Sequence, residues 1–79
     1  MSILLILKAM IGDEIRNARK TAGLTQEQLA FKAEVHPTYV SMLECNKKSP
    51  TLDMLFRLCD ALNVRASELI ARAEAHPRK

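Results

Sequence analysis

The sequence predicts an all-α domain of five short helices, and three observations carry that reading. Apolar residues recur at three- and four-residue spacing in successive stretches, which is the period of a helix with one buried face. Helix start and stop signals punctuate those stretches: Thr25 with Gln28, Pro37 at the head of one run, and Gly23 and Asn63 just past two others. Hydrophobic residues make up 48% of the 79, which suits a folded core and argues against disorder. That core has to come from Leu, Ile, Val, Ala and Met, because Trp is absent and aromatics are only 4%. The length fits one domain, 1–79, close to the size at which a single core is marginal. Dimerisation would add apolar burial to such a chain.

Taken in order, residues 1–9 contain five consecutive apolar residues, Ile3–Leu7. The run lacks the basic start and cleavage site of a signal peptide and is too short to span a bilayer. It is either an extension of the first helix or an arm, helix or strand, that meets a second subunit. Pattern alone does not separate these in so short a run. Ile11–Thr21 is the first clear helix, with Ile11, Ile15 and Ala18 on one face and Gly23 as its stop.

Residues 25–45 form the stretch around which the rest is organised. Thr25 and Gln28 make a capping box for a helix over Gln26–Ala33, with Leu29, Ala30 and Ala33 on one face. Glu34-Val35 breaks the run. His36-Pro37 starts a second helix, since proline is tolerated where its missing N–H is not needed. There Val40, Leu43 and Glu44 share one side, Thr38, Ser41, Met42 and Cys45 the other, with Tyr39 on the flank.

Asn46–Thr51 reads as a loop, and Thr51 as the cap of a helix over Leu52–Leu62. That helix carries two apolar stripes, Leu52, Leu55, Phe56, Cys59 and Leu62 on one and Met54, Leu58 and Ala61 on the other. A helix apolar on two sides sits deep or touches two bodies, and a second copy of the chain is the natural second body. Met54, Leu58, Leu69 and Ile70 are accordingly the candidate dimer interface, each of them equally compatible with the core. Asn63 tolerates the left-handed backbone at the helix end. A last helix runs over about Ala66–Ala73, and 75–79 is expected to fray.

A net charge of +3 and a pI of about 9.1 suit an anionic partner without proving one. Cys45 and Cys59 form no CxxC pair and read as reduced thiols, consistent with the cytoplasm. Two Cys and two His at irregular spacing give no zinc pattern, so no metal or cofactor is expected. There is no Ser-His-Asp set and no phosphate loop, and no small-molecule ligand is evident, which argues against an enzyme.

The motif Thr25-Gln26-Glu27-Gln28-Leu29-Ala30, then Val35, then Tyr39-Val40-Ser41-x-Leu43-Glu44 resembles the helix-turn-helix of lambda-repressor/Cro-type regulators, the xenobiotic-response-element type. Ser49–Asp53 and Leu62-Asn63-Val64 extend the likeness over about residues 10–74. Within that family, Pro37–Ser41 looks most like the controller proteins of restriction–modification systems. The resemblance implies a compact five-helix domain that binds double-stranded DNA, as a homodimer on a palindromic operator, and regulates transcription.

It further implies that Pro37, Thr38, Tyr39 and Met42 meet base edges, while Gln26, Ser41, Asn46, Lys47 and Lys48 meet phosphates. Arg19 and Glu44 match the family's ion pair between the first helix and the third. Two departures stand out. Glu34 occupies a place where the family usually has a left-handed glycine, at a strain on the order of 1 kcal/mol. The face from Thr38 to Cys45 has no Arg, Lys, Asn or Gln, so bidentate reading of guanine or adenine is unavailable there. Much of the specificity is then expected to come from DNA shape and bending. The competing reading is an antitoxin-type module that neutralises a partner toxin.

Overall fold

A computed structural model describes residues 3–75, with side chains from Ile11 onward. Its elements are α1 (Ile3–Thr21), α2 (Gln26–Ala33), α3 (Pro37–Glu44), α4 (Leu52–Leu62) and α5 (Ala66–Glu74). No strand occurs among the described residues. From Ile3 the backbone continues α1 without a break, so the apolar N-terminal run is helical, not a strand, over those residues. Residues 1–2 and most of the tail expected to fray, 76–79, lie outside the described residues.

Local chemistry sets most of the helix ends. The Thr25 hydroxyl accepts from the Gln28 N–H at 3.0 Å, and the Gln28 side chain accepts from the Thr25 N–H at 2.8 Å. Thr51 accepts from the Met54 N–H at 3.1 Å to start α4. Four of the helical segments close in the same way, with one left-handed residue followed by an N–H that reaches five residues back. The left-handed residues are Gly23, Glu34, Asn46 and Asn63, at φ of 73°, 58°, 62° and 58°. The closing bonds run from Leu24 to Arg19, Val35 to Ala30, Lys47 to Met42 and Val64 to Cys59. Only one of the four is glycine, and Glu34 takes up the backbone shape that the turn demands.

The helices pack around one core whose fully buried members are Ile15, Leu29, Val40, Leu43, Leu58 and Leu69. Burying each such side chain contributes roughly 1.5–3 kcal/mol. α1 packs on α3 and α5, α2 on α3 and α4, and α4 on α5. Because α4 lies between α2 and α5, its buried seam is Leu55, Leu58, Cys59 and Leu62.

That arrangement corrects two of the expected interface residues. Leu58 is 0% and Leu69 2% exposed within the single chain, so neither has surface left to offer a partner. Met54 and Ile70 are only partly buried. Leu52 and Phe56, part of the first apolar stripe on α4, point outward at 64% and 54% exposure, while Leu55, Cys59 and Leu62 of the same stripe are buried. The reason is geometric: the stripe is wider than the angle that α2 and α5 cover.

Candidate nucleic-acid interface

α3 is the first element of the site. Proline at its first position presets the backbone, and His36 caps it, the imidazole Nδ1 accepting from the Thr38 N–H at 3.1 Å. Val40, Leu43 and Glu44 are buried and pin α3 to α1 and α2. Pro37 and Thr38 are exposed on the opposite side, and Tyr39, Ser41 and Met42 are half-buried along it. Cys45, at the end of this face, is an exposed free thiol. All four expected base-contacting residues thus have surface on one short helix.

The loop after α3 brings cations to its flank. Lys48 Nζ stands 5.8 Å from the centroid of the Tyr39 ring, within the range of a cation–π contact. Partial burial pushes the Tyr39 hydroxyl pKa up, which keeps the phenol neutral as a donor. Lys47 is exposed beside it. Asn46, expected to meet a phosphate, is exposed, but its amide oxygen lies against Gly12 of α1. A Cβ on Gly12 would fall 2.5 Å from the Leu43 carbonyl oxygen, so glycine is needed where α1 crosses the end of α3. This close approach has no signal in the local sequence pattern.

Glu44 is the hub. Its carboxylate is buried with a side-chain exposure of 0%. Arg19 grips it with two bonds, Nε to Oε2 at 2.7 Å and a terminal nitrogen to Oε1 at 3.0 Å. The remaining terminal nitrogen of Arg19 donates to the Leu24 carbonyl at 2.9 Å, tying α1 to the start of the motif. Gln26 Nε2 also donates to Oε1, at 3.1 Å, and Arg16 Nε stands 3.5 Å from the same oxygen.

Burial alone would raise the Glu44 pKa. The hydrogen bonds from Arg19 and Gln26, with the charges of Arg19 and Arg16, outweigh it and hold the carboxyl below its usual value. Its bond to Glu44 pushes the Arg19 guanidinium up in turn, against burial. Arg19 with Glu44 was legible from the motif. The participation of Arg16 and Gln26 was not, because it depends on how α1 and α2 cross α3.

Gln26 also opens α2, where the N–H groups of Gln26 and Glu27 have no helical carbonyl to bond. Such amides, with the positive end of the helix dipole, favour an anion. Met54, Leu58, Leu69 and Ile70 lie on α4 and α5, apart from this surface. Among the described residues no group of His, Cys, Asp or Glu could hold a metal ion, and no helix is long and apolar enough to cross a membrane.

A capped, proline-led helix held solvent-side by a preceding short helix is the geometry of the helix-turn-helix. The chain belongs to the Helix-turn-helix family, whose model matches residues 15–69, and is a DNA-binding regulator of transcription of that class. It is 33% identical over 66 residues to control protein C.SmaI of Serratia marcescens, covering 84% of this chain and 79% of that one. Among solved structures it resembles the restriction–modification controller protein C.AhdI of Aeromonas hydrophila, with a TM-score of 0.75, 31% identity and coverage of 77% and 92%. It also resembles the clp gene regulator ClgR of Corynebacterium glutamicum, with a TM-score of 0.82, 29% identity and coverage of 86% and 88%.

Proposed function

We propose that two copies of this chain bind a palindromic operator, each placing α3 in the major groove, and control transcription there in the manner of restriction–modification controller proteins. One observation carries the reading: Pro37, Thr38, Tyr39 and Met42 share an accessible face of a helix whose other face is locked by Val40, Leu43 and Glu44. The groove admits one helix, and two such helices about 34 Å apart read one face of the duplex. Thr38 and Tyr39 donate or accept at base edges, and Met42 and Pro37 pack on thymine methyls. Gln26, Ser41, Lys47 and Lys48 grip phosphates and set register. The likeness to control proteins supports this role, and free thiols suit the cytoplasm.

The dimer face on this reading is the outer side of α4 with its neighbour on α5. Leu52 and Phe56 are its exposed apolar pair, and Met54 and Ile70, on the same two helices, are half-buried. Asp53 and Arg57, four residues apart and both exposed, make the face self-complementary across a two-fold axis.

The experiment is selection of duplexes from random DNA by the purified chain, followed by titration of the winners. Symmetric half-sites about one helical turn apart are expected. Failure to shift any duplex at low ionic strength, or recovery of single asymmetric sites, would sink the reading. Exchanging only the untouched central base pairs of a selected operator should change affinity, because the thin base readout leaves specificity to DNA shape.

A further inference from the structure

Two arginines of α1 converge on one carboxylate, and only one of them is used up by it. Arg19 makes three hydrogen bonds, two to Glu44 and one to the Leu24 carbonyl, and its side chain is 12% exposed. Arg16 has a side chain 43% exposed and stands off at 3.5 Å, making no hydrogen bond among the described residues. The buried charge is therefore already balanced by Arg19. Arg16 brings a surplus positive charge, tethered at Nε, with its terminal nitrogens left over.

The tether also fixes where that charge sits. Arg16 Nε approaches the same oxygen, Glu44 Oε1, that accepts from Gln26 Nε2. Both nitrogens lie within 3.5 Å of that one oxygen, which brings the Arg16 guanidinium into the neighbourhood of the Gln26 amide at the head of the motif. Gln26 Nε2 carries two hydrogens and commits one to Glu44, leaving one to donate outward. A half-exposed guanidinium and an amide N–H, both oriented by one buried carboxylate, match the tetrahedral, multiply accepting oxygens of a phosphodiester.

We infer that Arg16 is a further DNA-contacting residue, which together with Gln26 clamps one backbone phosphate, and that Glu44 is the positioning residue for both. The inference rests on the DNA-binding reading above and deepens it. Arg16 belongs to α1 rather than α3, so its contact is with the backbone and its contribution is independent of base sequence. It ties α1 to the duplex, so that α1, α2 and α3 are all set against the DNA through one carboxylate.

The test uses the full chain and two probes, a duplex selected by the wild type from random DNA and a scrambled duplex of the same length. Binding is titrated across roughly 50–200 mM salt. Arg16→Gln is expected to weaken both duplexes by a similar factor and to flatten the slope of log affinity against log salt by about 0.9 per bound protomer. Arg16→Lys, which keeps the charge, should retain the wild-type slope. Arg16→Met keeps the aliphatic stem and provides the same readout should the glutamine variant fold poorly. An unchanged slope in the neutral variants, with or without a lower melting temperature, would overturn the inference, and so would a loss confined to the selected duplex. Wild-type protein that ignored both duplexes at low salt would instead overturn the reading beneath it.

Discussion

Single residues in this chain carry backbone shape and charge that their neighbours rely on. Glu34 sits at φ 58°, ψ 45°, a conformation that strains a residue with a Cβ. Glu34→Gly is expected to stabilise the domain by about 1 kcal/mol, raising the melting temperature by roughly 4–8 °C in thermal denaturation. Asn63→Gly, at a similar φ, should gain less, because asparagine already tolerates this region. At Glu44 the charge is what counts. Arg19→Ala strands a buried carboxylate and should cost about 3 kcal/mol or more in chemical denaturation.

The same carboxylate gives the stability a pH dependence of definite sign. Its folded pKa lies below the ordinary carboxylate value, so its contribution is complete above that value and is lost as pH falls through the lower, folded one. Acid unfolding curves should show that limb, and Glu44→Gln should remove it. A limb unchanged by Glu44→Gln would assign the acid sensitivity to other groups.

Whole helices show which preferences were local and which were decided by packing. The start of α3 depends on a cap that pattern reading did not assign, the His36 imidazole. His36→Ala should cost about 1 kcal/mol, and His36→Asp, which can accept the same N–H, should restore it. On α4 the periodicity showed two apolar stripes without saying which one faces inward. The core takes Leu58 and leaves Leu52 and Phe56 outside. Leu58→Ala should therefore cost about 2–5 kcal/mol at any protein concentration. Leu52→Lys with Phe56→Lys should leave the fold intact and yield a monomer in sedimentation. A double variant that still sedimented as a dimer would move the interface elsewhere.

At the scale of the molecule, the proposed mode of binding combines a sparse base-reading face with a distributed grip on phosphates. Replacing Lys47 and Lys48 with Ala should lower affinity on every duplex alike and flatten the salt dependence by roughly one unit per lost contact. Lys48 also stands over Tyr39, so its removal should additionally loosen the flank of α3. A salt slope equal to that of the wild type would show that the loop does not touch the backbone.

The helix starts at Thr25, Pro37 and Thr51, the stops at Gly23 and Asn63, and the accessible set on α3 all followed from the chain itself. Capping, proline geometry and helical period act between residues no more than a few positions apart. Other features needed the assembled fold. Gly12 under the Leu43 carbonyl, Gln26 and Arg16 meeting at Glu44, and the outward turn of Leu52 and Phe56 all depend on how the helices cross. Arg19 and Glu44 are 25 residues apart, and Gln26 and Glu44 are 18 apart. No local periodicity records such a meeting, because the distance between two helix faces is set only when the core between them has packed.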